Sequence, residues 1–285
     1  LFPSIRVRIF DQNQIVIHLP ERYIIALNAA RDASEAIMQV YSGEFDPYFK
    51  NDGSPVTTAD LMSSEIILNQ LLQTGIPVTS EETDHEDYSV RCQWLESWCV
   101  DPLDGTKEFV KRNGEFTINI AYVLGNSPVF GLIASPVNDE VLFGGQETGV
   151  YVTNLSTWTE QENWIKLAEP TKINKPLVVA SSRSHHSGPV LQYINDLKQR
   201  SAEIEYHKMG SALKFFALAS GDADTYPRYA PTMEWDIAAG QAILEALGGR
   251  VIHAETGEPL TYNKENLKNP YFIASTKAFT EWIEG

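Results

Sequence analysis

Two aspartates, Asp101 and Asp104, stand three residues apart in the run Trp98-Cys99-Val100-Asp101-Pro102-Leu103-Asp104-Gly105-Thr106-Lys107-Glu108-Phe109. The apolar segment Leu95 to Val100 leads into Asp101 like a strand. Pro102 is expected to stop that strand, and Gly105 permits a tight turn. Thr106 to Lys111 can then open a short helix. Two carboxylates on a rigid turn can converge on one hard cation, and N–H groups at a helix start beside them suit a phosphate. The spacing therefore points first to a magnesium-dependent phosphate chemistry.

Three further acidic sites stand out: Asp60, the pair Glu81-Glu82, and Glu234-Trp235-Asp236. Each falls at the end of an expected strand or the start of an expected helix, where side chains from distant segments can meet at one crevice. Oxygen ligands without His or Cys suit magnesium or manganese better than zinc. Single acids at helix starts are weak signals, because the helix dipole favours them there in any acid-rich chain. The Asp-Pro-Leu-Asp-Gly-Thr run is much more specific than any one carboxylate.

The elements that must position these groups can be read from periodicity. Residues 23–41 carry apolar side chains at helical steps, from Ile24 and Leu27 to Val40 and Tyr41. A turn from Ser54 to Asp60 leads to a second helix with Met62, Ile66, Ile67, Leu71 and Leu72 on its stripe, ended by Gly75 and Pro77. Val78 to Glu82 reads as a short strand, and Thr83 to Gln93 as a solvated charged loop. Residues 116–124, 129–134, 140–144 and 149–152 read as an antiparallel meander packed on the two helices. A polar boundary follows over residues 154–176. Beyond it, strands are expected at 177–181, 204–209, 223–226, 250–253 and 271–274. Helices are expected at 190–200, 211–219, 236–247 and 277–283, which gives a smaller α/β layer. Residues 5–19 look strand-like and have no assigned role.

Bulk properties narrow the partners. The chain has 285 residues, 43% of them apolar, enough for one large domain or two ordinary ones. Its net charge of −16 argues against a basic nucleic-acid surface, so no nucleic-acid polymer is expected as a partner. An acidic protein can still bind an anion where metal ions and local cations reverse the field. Cys92 and Cys99 imply neither a zinc site nor a disulfide framework. No apolar run is long enough to span a membrane, and no leading basic and apolar segment is read. The cytoplasm is therefore the default compartment, with peripheral membrane association left open. The chain starts at Leu1 rather than Met, so the first segment is expected to be incomplete or extraneous.

Trp98 to Phe109, Ser80-Glu81-Glu82 and Trp235-Asp236-Ile237-Ala238-Ala239-Gly240 resemble, in order and spacing, the signatures of the lithium-sensitive, magnesium-dependent phosphatases related to inositol monophosphatase. The likeness runs from about residue 23 to the C-terminus. Lys107 to Thr117, Ser182-Arg183-Ser184-His185 and Gly210 to Phe215 resemble more narrowly the 3′(2′),5′-bisphosphate nucleotidases of that superfamily. One departure is Thr83-Asp84 after the acidic pair, where related nucleotidases often continue with a third acid.

The resemblance implies a layered α-β-α-β-α sandwich of α+β type. It also implies an N-terminal antiparallel-sheet domain (1–169, with 1–22 as an extra segment) and a smaller C-terminal α/β domain (170–285). It assigns Glu81, Asp101 and the Leu103 carbonyl to one magnesium ion. Asp101, Asp104 and Asp236 fall to a second, and Glu81 helps with a third through water. Manganese could substitute, and Glu82 supports the ligands, with direct ligation of the metal by Glu82 as the alternative. Asp60 and Thr106 would orient and deprotonate the attacking water, and no covalent phosphoenzyme is expected. The N–H groups of Gly105 and Thr106 would receive phosphate oxygens. His185, Ser211, Lys214 and Arg228 would contact the nucleotide; Lys214 and Ser211 are expected on one helix face. Tyr226, Pro227 and Tyr229 could wall an adenine or pack as core.

The implied reaction is hydrolysis of 3′-phosphoadenosine 5′-phosphate to AMP and phosphate, in sulfur metabolism, with the phosphosulfate as a further substrate. Inhibition by lithium is also implied. The alternatives are an inositol or broad sugar phosphatase and a non-catalytic cation-dependent binding protein. Oligomeric state is open, a homodimer included.

Overall fold

Alternation along the strands decides the architecture. In the strand Glu96–Asp104 (β4), Trp98 and Val100 point to one side while Cys99 points to the other. The strand Thr117–Leu124 (β5) likewise sends Ile118, Ile120 and Tyr122 one way and Ala121 and Val123 the other. A sheet built from such strands is apolar on both faces and must be covered on both. The computed structural model, which describes residues 17–49, 55–181, 188–200 and 203–285, shows how that is done.

On one face lie the helices Glu21–Ser42 (α1) and Thr58–Leu71 (α2), joined by a hairpin of Tyr48–Phe49 (β1) and Pro55–Val56 (β2). Their Leu27, Ile37 and Ile67 pack with Trp98, Phe130 and Phe143. The sheet has seven strands in the order β3-β4-β5-β6-β7-β8-β9. The remaining members are Val78–Ser80 (β3), Ser127–Ser135 (β6), Glu140–Gly145 (β7), Gly149–Asn154 (β8) and Ile165–Lys166 (β9). β3 runs parallel to β4, and every other pair is antiparallel. Between β3 and β4 lies a single helical turn, Tyr88–Arg91 (α3), and after β4 the short helix Thr106–Val110 (α4).

The second sheet has five strands in the order β11-β10-β12-β14-β13. These are Leu177–Ser181 (β10), Ile204–Lys208 (β11), Thr225–Arg228 (β12), Arg250–His253 (β13) and Phe272–Ser275 (β14). The helices Leu213–Ser220 (α6) and Glu234–Ala246 (α7) fill the space between the sheets, sharing one core with Ile133, Leu142, Tyr226 and Phe272. The helices Pro189–Gln199 (α5) and Lys277–Glu284 (α8) close the far face through Ile194, Leu197 and Phe279. The layers therefore run helix, sheet, helix, sheet, helix, as the sequence suggested.

Three expectations are corrected. Pro102 does not end β4: pairing with β5 resumes at Asp104 after a shift in register. The Thr83 to Gln93 segment is not wholly solvated, because it contains α3 and the buried Arg91. Ser211 does not belong to α6, which begins at Leu213; its φ of +50° places it on a corner before the helix. The expected 5–19 strand and His185 lie largely or wholly outside the described residues.

The middle layer fits because β6 carries a glycine where α7 crosses it. A Cβ at Gly131 would come within 2.0 Å of the Ala239 carbonyl oxygen. Backbone cannot yield that distance, so Gly131→Ala is expected to destabilise the protein by about 2 kcal/mol or more. Gly43→Ala, where the added carbon meets nothing closer than 3.6 Å, should stay within about 0.5 kcal/mol. Urea denaturation of both variants checks this.

Candidate active site

Because β3 and β4 are parallel neighbours, the chain leaves both at the same edge of the sheet. Glu81 follows β3 directly, its N–H still bonded to the Val100 carbonyl at 3.2 Å. In β4 the register shift supplies the second element. Asp101 pairs with Asn119 and Asp104 with Thr117, so two residues of β4 oppose one of β5 between them. In a regular strand, residues three apart face opposite sides; the extra residue of the bulge returns Asp104 to the side of Asp101. The Leu103 N–H donates to Asp101 Oδ1 at 3.0 Å and holds the bulge closed. The Ser63 hydroxyl of α2 ties it down by donating to the Pro102 carbonyl at 2.6 Å.

Two helix starts contribute the other carboxylates by one device. Asp60 is the third residue of α2 and accepts the Thr57 N–H at 2.7 Å and the Thr57 hydroxyl at 2.6 Å, both on Oδ2. Asp236 is the third residue of α7 and accepts the Met233 N–H on Oδ2 at 2.9 Å. Each capping bond fixes the side chain through one oxygen and leaves the other for chemistry. For Asp60 that oxygen, Oδ1, accepts the Thr106 hydroxyl at 2.8 Å.

Glu81, Asp101 and Asp236 meet: each offers a carboxylate oxygen, all within 4.8 Å of one another. Asp101 is 1% exposed. Burial, then the charges of Glu81, Asp104 and Asp236, push its carboxyl well above the ordinary range. Asp236 is pushed up to about 8, by burial first and Asp104 next, against the opposing Met233 bond and Arg228 charge. Burial also raises Asp60, and its bonds from Thr57 and Thr106 oppose the rise. Buried like charges at such distances are expensive unless a cation lies among them. A donor set made only of carboxylates suits a hard divalent ion, so the residues present fit magnesium or manganese.

The structure places the remaining expected residues as follows. Asp104 lies close enough to raise both Asp101 and Asp236, yet its Oδ2 accepts the Ser211 hydroxyl at 2.6 Å. The Leu103 carbonyl faces Thr106, whose hydroxyl is 3.4 Å away. Gly105 has φ of +96°, and a Cβ there would meet the Glu115 carbonyl oxygen at 2.9 Å. Glu82 raises Asp60 electrostatically and is not in the carboxylate trio. Lys214 is 4% exposed and donates to the carbonyls of Ser211 at 2.5 Å and Met209 at 3.3 Å. Burial lowers its ammonium to about 8. Arg228 is near enough to lower both Lys214 and Asp236. Tyr226 is core, packed edge-on against Phe215 and Phe272.

Several residues that hold the site were not read from the sequence. Thr57 was legible, since Thr-x-x-Asp before an apolar run is a helix-start signature. Arg91 gave no local sign: its guanidinium donates to Asn263 Oδ1 at 2.9 Å and to the Lys264 carbonyl at 3.1 Å. Asn263 and Lys264 in turn donate backbone N–H groups to Glu234, at 2.6 and 3.1 Å, beside Asp236. His85 bonds the Ser80 carbonyl at 2.8 Å and packs on Trp235. These contacts fasten the segment after Glu81 to the start of α7.

The inositol monophosphatase family model matches residues 18–283. The 3′(2′),5′-bisphosphate nucleotidase CysQ of Shigella flexneri is 42% identical over 251 residues, spanning 86% of this chain and 96% of that protein. The CysQ of Escherichia coli strain K12 is 41% identical over the same spans. The crystal structure of CysQ from Bacteroides thetaiotaomicron, a bacterial member of the inositol monophosphatase family, superposes with a TM-score of 0.79 at 41% identity. It covers 91% of this chain and 98% of its own.

In the metal-free protein the repelling trio should oppose folding. Asp101→Asn is expected to raise the thermal midpoint without divalent ions and to lose most of the upward shift that magnesium gives the parent. The native state binds protons on Asp101 and Asp236 that the unfolded chain has released. Metal-free stability should therefore fall as pH rises from about 4 toward about 8, and magnesium should flatten that slope. Thermal melts across pH, with and without magnesium, check both.

Proposed function

This chain belongs to the inositol monophosphatase family, and on that premise we propose that it hydrolyses 3′-phosphoadenosine 5′-phosphate to AMP and phosphate. The phosphosulfate is a second substrate. Residues 1–169 carry most of the metal ligands, and residues 170–285 carry the nucleotide contacts together with the remaining ligand, Asp236. The observation that carries the reading is the Thr106–Asp60 hydrogen bond beside three converging carboxylates. A protein that only bound cations would have no use for it.

Glu81, Asp101 and Asp236, with Asp104 and the Leu103 carbonyl, would hold two magnesium ions and, more loosely, a third. Ions held there neutralise charge on the transferring phosphoryl group and the leaving oxygen. The chain's own residues do the rest. The Thr106 hydroxyl has one hydrogen and gives it to Asp60. Its lone pairs therefore accept a hydrogen from the attacking water, which turns a water lone pair toward phosphorus. As the new P–O bond forms, the water's proton passes to Thr106 and the Thr106 proton to Asp60. Burial has already made Asp60 more basic than an ordinary aspartate. The bond to the ribose oxygen breaks opposite, and that oxygen leaves with the electron pair. The Gly105 and Thr106 N–H groups would receive phosphoryl oxygens.

The phosphate that is not cleaved needs a separate cation. Lys214 gives two of its three N–H groups to carbonyls and has a third for a phosphate oxygen. Arg228 stands nearby and His185 completes the proposed set. An inositol phosphate has no second phosphate for these groups.

Asp60→Asn keeps an acceptor for Thr106 but removes the base. It should lower kcat by about 100-fold or more and leave the magnesium-induced thermal shift intact. Steady-state rates for the bisphosphate nucleotide against inositol 1-phosphate test the substrate; equal or inverted preference overturns the assignment. Lys214 is charged below about pH 8 and neutral above it. For the bisphosphate, kcat/KM should therefore fall as pH rises through about 8, and a monophosphate substrate should lack that limb.

A further inference from the structure

β5 presents Thr117 and Asn119 on one face, continuing into the apolar Ala121 and Val123, and both polar side chains are fully buried. Neither has a part in the chemistry above. The bulge in β4 sets Asp104 opposite Thr117 and Asp101 opposite Asn119. A buried hydrogen-bonded chain results. Ser211 Oγ is 2.6 Å from Asp104 Oδ2 and 2.6 Å from Thr117 Oγ1, and Thr117 Oγ1 is 2.9 Å from Asn119 Oδ1. The Asn119 amide nitrogen lies 3.4 Å from the same Asp104 oxygen.

Three close oxygen contacts share only two hydroxyl hydrogens, because the carboxylate and the amide oxygen at the ends are acceptors. Ser211 can give its hydrogen to Asp104 or to Thr117, not to both. Thr117 likewise has one hydrogen, for Asn119 Oδ1 at 2.9 Å or Ser211 Oγ at 2.6 Å; the carboxylate charge favours the arrangement in which Thr117 donates to Ser211 and Ser211 to Asp104. The backbone at Ser211 is held on both sides. Its φ of +50° sets the corner, and the preceding Gly210 donates its N–H to Glu115 Oε2 at 3.1 Å. A Cβ at Gly210 would lie 2.9 Å from Glu115 Cβ and carbonyl oxygen. Lys214 holds the Ser211 carbonyl from the other side.

We propose that Thr117 is a positioning residue for the reaction: acting through the Ser211 hydroxyl, it pins Oδ2 of Asp104 and so presents Oδ1 to the divalent ion. This rests on the reading of Asp104 as a metal ligand. It also makes Ser211 the shared corner of two sites, its hydroxyl on the metal carboxylate and its carbonyl on the cation for the second phosphate.

The test is manganese binding by the full chain without substrate, followed by electron paramagnetic resonance, with magnesium half-saturation of turnover as a second readout. Thr117→Val has nearly the same shape and should raise both constants about tenfold, with the KM for nucleotide at saturating magnesium unchanged. Thr117→Ser, which restores the hydroxyl, should return both to within about twofold of the parent. Ser211→Ala should weaken manganese binding at least as much, and adding Thr117→Val to it should weaken binding no further. Unchanged manganese affinity in Thr117→Val overturns the proposal, as does failure of Thr117→Ser to restore it or additivity in the double variant. If Thr117→Val does not fold, unchanged affinity in Ser211→Ala overturns it equally. Parent turnover of the bisphosphate tests the proposed function separately, since the manganese titration involves no substrate.

Discussion

Three carboxylates are forced together against their own repulsion, and much of the fold is explained by what forces them. Glu81, Asp101 and Asp236 come from the end of one strand, the bulge of another and the start of a helix over a hundred residues later. Left to electrostatics they would separate or take up protons. They stay because local bonds fix the two aspartate side chains and long-range bonds and packing fix the elements that carry all three. Asp101 is fixed by the Leu103 N–H and Asp236 by the Met233 N–H. The segment after Glu81 is fixed through Arg91 and Asn263 to Glu234. Such a site stores unfavourable energy that a cation of the right charge and hardness can release.

The same economy of geometry serves the pair proposed to activate water. Asp60 uses one oxygen to close the first turn of α2 and the other to hold Thr106. A capping interaction worth about 1 kcal/mol to the helix thereby also orients the Thr106 hydroxyl. The layered arrangement makes this available. α7 lies between the two sheets, so its first turn reaches the edge where β3 and β4 end, and its body fills the core that holds the sheets together.

How much of this could be read beforehand depended on the range of the determining contacts. β10 and β13 match their expected bounds because β-branched and apolar runs between turn residues are local signals. Asp101, Asp104, Asp60, Thr106, Glu81 and Asp236 were legible because they fall in short motifs whose order resembles a known family. The continuation of β4 past Pro102 was not, since a bulge exists only relative to its partner strand. Arg91 looked like part of a solvated loop because its partner Asn263 is 172 positions away. Ser211 was read as a nucleotide contact alone, and nothing local announced the bond of its hydroxyl to Asp104, 107 positions distant. Residues assigned to the reaction carry recognisable spacing, whereas residues that hold them in place carry only the type of a buried polar side chain.

If the carboxylate trio serves to hold a divalent ion, diffraction from crystals grown with manganese, collected at the manganese absorption edge, should show it. The expected result is an anomalous peak with an oxygen of Glu81, Asp101 and Asp236 each within about 2.0–2.6 Å. A fully occupied manganese peak elsewhere, with these three side chains turned apart, would contradict it.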